Sequence, residues 1–300
     1  MSMAGKPSKR MARAVNNAYE AGIVLVTAAS NCWYKGIMAA LPKCVLYPAA
    51  FERVIAATGA MYDHKPYDVN FIQQSRFAIG TKYMQGCWGP ESRMKKALAA
   101  YTPNTPWASH PMTFLRSGGG TSSATPQVAA AAAIWIAYYR EDLEAKGYYK
   151  PGQQWKKVEA VRKALFKSAA KEKVFGEWKK YYGNGIIRAL DALDIGVAEE
   201  SELHPSPDAE SSWFGAVELI SSFFLRRKLF RSVSEKPESE SLANELLQLL
   251  QMDPQFYDLF STLDLTNPAE LESLMNDKEF QQKILKSPYA SNYLKEAIIE

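Results

Sequence analysis

Histidine and cysteine are both scarce in this 300-residue sequence, with three of each. The cysteines, Cys32, Cys44 and Cys87, form no CxxC pair and share no zinc-type spacing with a histidine, which argues against a structural zinc site. Two readings of them stay open: a Cys32–Cys44 bridge that leaves Cys87 over, or three thiols. The redox compartment is therefore not fixed by them. Long apolar runs are missing too. The longest, Val128 to Tyr139, is mostly alanine, too short and too weakly apolar to span a bilayer. Met1 opens a polar, basic segment with no apolar core, so the sequence as given shows no signal peptide. Internal repeats reduce to one faint echo, DPQFYDLF against DKEFQQKIL.

What is present is unevenly charged. Residues 1–197 hold 27 Lys+Arg against 13 Asp+Glu, net +14, and residues 198–300 hold 9 against 19, net −10. Such asymmetry marks two regions that can attract each other. A basic half can signal nucleic acid. Here, however, many of the lysines fall between Lys150 and Lys180 at helical spacing, the pattern of a solvated helix face, and no nucleic-acid partner is expected.

The periodicity predicts an α/β chain. Met11, Val15, Ala18 and Tyr19 recur at helical spacing within Lys6–Ala21, and Gly22 ends that helix. IVLVTAAS and RVIAATG read as strands buried on both faces, and Phe77–Thr81 as a short third candidate. Gly86–Ser117, rich in Pro, Gly and Thr, reads as loop. Helices are expected at residues 122–140 and about 155–170, with a turn and short helix in GNGIIRALDAL. HPSPDAESS reads as a linker. Beyond it lie helical patterns at 213–230 and 241–252, then short segments capped at Asp253, Asn267 and Ser287. The expected domains are thus 1–197, a linker at 198–212, and an acidic all-α extension at 213–300.

SGGGTSSATP, residues 117–126, carries the chemistry. A phosphate cradle needs a lysine beside the hydroxyl, and only Arg116, before the glycines, is near. An amidase-type Ser-Ser-Lys site needs a lysine as well. An inert turn leaves the hydroxyls and the helix start unexplained. A nucleophilic serine uses all of it: orphan N–H groups at a helix start favour developing negative charge, and glycines let a substrate backbone approach.

GTSSATPQVAAAAA resembles the Gly-Thr-Ser-x-Ala-[Ser/Thr]-Pro signature of the subtilisin-like serine proteases, the subtilases. The resemblance assigns the nucleophile to Ser122 and makes Ser123 a neighbour. AGIVLVTAASNCW resembles the subtilase strand ending in Ala-Ala-Gly-Asn, which implies that Asn31 donates to the oxyanion, with Ser30 in the place of the family glycine. LYPAAFERVIAATGA resembles the segment lining the primary specificity pocket. This implies substrate contacts by Leu46 and by the strand Ala28–Ala29–Ser30, with Gly119 giving close approach and Tyr47–Pro48 a cis peptide bond. YYGNGIIRALDAL resembles the Gly-x-Gly turn and helix that close the domain. The implied fold is a partial subtilisin-like parallel sheet flanked by helices, followed by a small all-α region. The implied activity is peptide-bond hydrolysis through an acyl-enzyme on Ser122, with a peptide or protein substrate. No cofactor is expected. Relatives often bind calcium, but no acidic loop cluster here demands it.

Subtilases also carry an Asp-Thr/Ser-Gly motif and a His-Gly-Thr motif, and neither is present. His64 and His110 read as loop residues, His204 as part of the linker, and Asp63 and Asp68 as surface loop residues. The expectation is a chain that lacks the proton-handling part of the site and is inactive alone, with a non-catalytic binding scaffold as the competing reading. In the tail, Trp213, Phe214, Val217, Ile220, Phe224 and Leu225 form an apolar stripe that packs on its own domain or, less in keeping with the rest, lies on a membrane. The acidic tail is a candidate to dock on the basic half.

Overall fold

The computed structural model describes residues 1–5, 7–33, 45–68, 84–89, 91–109, 113–171, 178–209, 213–226, 236–264 and 267–299. The chain divides into two compact units, residues 1–207 and 208–300. The first holds α1 (Lys9–Glu20), β1 (Val26–Ala28), β2 (Asn31–Trp33), β3 (Ile55–Ala60), β4 (Met84–Gly86), α2 (Glu91–Met94), β5 (Ala97–Tyr101), β6 (Thr105–Ser109) and β7 (Thr113–Gly118). There follow α3 (Gly120–Tyr138), α4 (Arg140–Ala145), α5 (Trp155–Ser168), α6 (Trp178–Tyr182) and α7 (Ala189–Ala192).

The core of this unit is a parallel sheet in the order β1-β3-β5, with Ala28 beside Ala57 and Ala57 beside Leu98. Every residue of β1 and β3 is buried, as their β-branched and small residues predict. α3 packs on the face that carries Val26, Ile55, Ala57 and Leu98, and Trp135 closes the layer by donating Nε1–H to the Ile195 carbonyl at 3.0 Å. Small residues on both sides let helix and sheet approach closely. The outer edge of β1 is met by Met1, whose carbonyl accepts from Ala28 N–H at 3.1 Å. The outer edge of β5 is met by the segment at Ile186.

The loop expected over Gly86–Ser117 is overturned. It contains β5, the third strand of the sheet, and the antiparallel hairpin β6–β7. ALAAY has no β-branched residue, and its burial comes from pairing with β3, so its local pattern is silent. The candidate strand Phe77–Thr81 lies outside the described residues. The lysine-rich stretch is not wholly solvated either: Lys156 and Arg162 are buried. Lys156 pairs with Glu200, and Arg162 donates to the Glu52 carbonyl at 2.9 Å and the Ser206 hydroxyl at 2.8 Å.

The turn at Gly183 is demanded by space. Its φ is +64°, and a Cβ there would stand 2.2 Å from the Met94 carbonyl oxygen. The following helix α7 then packs on α5.

The second unit is helical: α8 (Trp213–Arg226), α9 (Lys236–Met252), α10 (Tyr257–Thr262), α11 (Pro268–Asn276), α12 (Lys278–Lys286) and α13 (Asn292–Ile299). Asn267 caps α11 through its side chain, as expected, and Asp277 caps α12 in the same way. Val217, Ile220 and Phe224 of the apolar stripe are buried within this unit. Phe256 and Phe280, which stand at matching positions of the faint sequence echo, meet edge to face at 5.6 Å. Among the described residues no helix is long and apolar enough to cross a membrane.

Candidate active site

β1 ends at Ala28, and two residues later the chain turns sharply at Ser30, whose φ is +106°. That turn carries Asn31 out of the parallel sheet and into the short ladder β2–β4, where it lies opposite Gly86. Its side chain points at the first turn of α3. Asn31 Oδ1 accepts from Thr121 N–H at 2.9 Å, and the Thr121 hydroxyl lies 3.3 Å from the same oxygen and 3.1 Å from the Ser30 carbonyl. A backbone N–H can only donate, so the atom facing it is the amide oxygen. Asn31 Nδ2 is thereby left as a donor with no hydrogen-bond partner among the described residues.

Gly120 makes this contact possible. Its φ is +72°, and a Cβ there would stand 2.8 Å from Asn31 Oδ1 and 2.9 Å from Nδ2. The glycine run therefore brings the start of α3 onto Asn31 itself.

The two serines that follow differ in what surrounds them. Ser123 is fully buried, and its hydroxyl donates to the Gly119 carbonyl at 3.0 Å. Ser122 is half-buried, and its hydroxyl has no hydrogen-bond partner among the described residues. It stands in the first turn of the helix, where backbone N–H groups lack intrahelical acceptors and the helix dipole is positive. Pro126, four residues on, has no N–H to give, so the Ser122 carbonyl lacks its ladder bond. Thr125 and Gln127 hold the turn instead, by donating to the Thr121 carbonyl at 2.9 Å and the Ser123 carbonyl at 2.8 Å.

The residues expected to line the substrate are adjacent. Leu46 N–H donates to the Ala29 carbonyl at 3.0 Å, and Ala29 N–H donates to the Ala57 carbonyl at 2.9 Å. Ala28, Ala29 and Ser30 are buried and Leu46 is half-buried. Gly119 is the extended residue before α3. The Tyr47–Pro48 bond is cis. Thr121, which orients Asn31, was not singled out from the sequence, although it is part of the same Gly-Thr-Ser signature.

Two of the three histidines are described. His64 Nδ1 is 3.1 Å from the Tyr101 hydroxyl, and its carbonyl accepts from Tyr182 at 2.6 Å. His204 lies in the segment after α7, and His110 is outside the described residues. Among the described residues no hydrogen bond joins Ser122 to a histidine or a carboxylate. Asp63 is tied to Lys65 in a loop. Asp68 corrects the expectation of a surface residue: it is buried, in a bridge opposite Gln85 of β4. Among the described residues no three His, Cys, Asp or Glu side chains are grouped to hold a metal ion.

The sequence profile described as Peptidase_S8, Subtilase family, matches residues 1–185. The chain belongs to the subtilase family. Subtilase structures similar to it include the prenylagaramide maturation protease PagA, at 21% identity over 66% of this chain and 59% of that one, TM-score 0.44. The self-cleaved protease domain of PatA shows 20% identity over 64% of this chain and 57% of that one, TM-score 0.43. The PatG macrocyclase domain shows 18% identity over 65% and 50%, TM-score 0.45. The subtilase chain described here thus spans between half and three fifths of each of these. No curated protein sequence matches it.

Proposed function

We propose that this subtilase chain carries the nucleophile and oxyanion half of a serine endopeptidase site. Ser122 Oγ attacks the carbonyl carbon of a peptide, and its proton passes to a base. The resulting oxyanion takes hydrogen bonds from Asn31 Nδ2 and Ser122 N–H. The C–N bond then breaks, the amine leaves with that proton, and water hydrolyses the ester on Ser122. Ala28, Ala29, Ser30, Leu46 and Gly119 border the bound peptide. The observation that carries this reading is the Thr121–Asn31 hydrogen bond at 2.9 Å, which turns a free amide donor toward the start of the helix on which Ser122, and not Ser123, has an open hydroxyl.

The base and the carboxylate that orients it have no candidate among the described residues. A non-catalytic scaffold that binds peptides is the second reading, supported by the lack of any hydrogen bond from Ser122 to a histidine or carboxylate among the described residues. Cleavage of an unfolded protein substrate by the assembled protein separates the two. Wild type cleaves, Ser122→Ala does not, and Asn31→Ala lowers kcat about 10²–10³-fold, a magnitude taken over from well-studied subtilases. Binding with no cleavage by wild type favours the scaffold.

A further inference from the structure

The stretch RMKK at the end of α2 sends two cations into the interior, Arg93 and Lys96, while Lys95 is exposed. A buried charge persists only where other groups meet it. Both side chains end on one segment, residues 45–52. Arg93 donates from Nη1 to the Val45 carbonyl and from Nη2 to the Tyr47 hydroxyl at 3.4 Å. Its guanidinium also lies over the Tyr47 ring, 5.1 Å from the centroid. Lys96 Nζ donates to the Ala50 carbonyl at 2.7 Å. The segment runs through turns with a single bridge at Tyr47, so no helix or strand ladder sets its course.

Leu46 sits at the centre of this clamp. Its two chain neighbours, Val45 and Tyr47, are the residues that Arg93 holds. Its own carbonyl accepts from Ala50 N–H at 2.9 Å, and its N–H donates to the Ala29 carbonyl at 3.0 Å. A shift of either neighbour therefore moves Leu46 against Ala28, Ala29 and Ser30. A guanidinium suits the task, since one N–H can serve a carbonyl while the flat face covers a ring, which an ammonium does less well. We propose that Arg93 is a positioning residue that sets which peptide side chain fits beside Leu46. It acts through Val45 and Tyr47 and does not touch the peptide. This rests on Leu46 bordering the bound peptide, as proposed above.

The test compares the full wild-type chain with Arg93→Met, Arg93→Lys and Lys156→Met, the last removing a different buried cation, one paired with Glu200. Each is checked by thermal melting and given unfolded casein, and the cut sites are read by mass spectrometry. The constants kcat and KM are then measured on a peptide that spans the most frequent wild-type site. Arg93→Met is expected to redistribute the residue that precedes the cut bond. It raises KM at least fivefold and leaves kcat within twofold, the mark of binding lost equally in ground and transition states. Arg93→Lys, which still carries a donor for the Val45 carbonyl, restores at least half of the wild-type profile. Lys156→Met lowers the melting temperature and leaves the profile unchanged. Should Arg93→Met not fold, Tyr47→Leu decides, because it removes the ring and hydroxyl that Arg93 holds and is expected to shift the profile as well. An unchanged profile in the folded variant overturns the positioning role and leaves the nucleophile reading standing. A shifted profile in Lys156→Met overturns it too, since lost stability alone would then account for the change. No cleavage by wild type overturns the nucleophile reading, and the positioning role falls with it.

Discussion

Ser30 stands where other subtilases carry glycine, and its φ of +106° shows what the glycine is for. A side chain in that region costs about 1–3 kcal/mol, held here by the ladder bonds on either side. Ser30→Gly is expected to raise stability by about 1 kcal/mol, part of the relief being offset by the freer unfolded chain. A lower urea midpoint for the variant would contradict this. Lys96 is a second residue under tension. It is buried, with Nζ donating to the Ala50 carbonyl and to Glu52, each at 2.7 Å. Burial pulls its pKa down to about 8, and Glu52 opposes that only in part. The native protein releases this proton above about pH 8, while the unfolded chain holds it to about pH 10.4. Between those values the unfolded state binds more protons, so stability rises with pH. Wild type should gain stability relative to Lys96→Met between pH 7 and pH 10, and a difference that does not change with pH would refute the assignment. At this scale the sequence was most legible at Tyr47–Pro48, whose expected cis bond is present. Asp68 was illegible because its burial is set by β4, a strand not contiguous with it.

At the scale of elements, legibility followed local pattern. β1, β3 and α3 announce themselves through continuous apolar or β-branched runs. β5 does not, because alanines between turn residues carry no period, and only the neighbouring strand makes them core. Residues 198–207, within the segment expected as a linker, form a strap on the first unit. Ala198 and Leu203 are buried, and Glu199, Glu200 and Glu202 pair with Lys146, Lys156 and Lys163. Ser206 is held by Tyr19, Glu159, Arg53 and Arg162. The glutamates are largely exposed, so each pair contributes about 0–1 kcal/mol, and the buried anchors decide. A chain ending at 197 should melt several degrees below one ending at 207, with 1 M salt reproducing only a small part of the difference. Equal melting temperatures would show that the strap merely rests on the surface.

For the whole molecule, the charge changes sign near residue 198, while the two compact units are residues 1–207 and 208–300. Composition could not place the limit at 207, because the strap's acidic residues belong by charge to one unit and by contact to the other. The same scale governs the chemistry. A parallel sheet and one helix bring the start of α3, which carries Ser122, onto the Asn31 side chain. The measurement that tests this most directly is the site of covalent modification in the assembled protein after fluorophosphonate treatment, read by peptide mass spectrometry. The account predicts a single adduct on Ser122, lost in Ser122→Ala and slowed in Asn31→Ala. An adduct on Ser123, or one that survives Ser122→Ala, would contradict it.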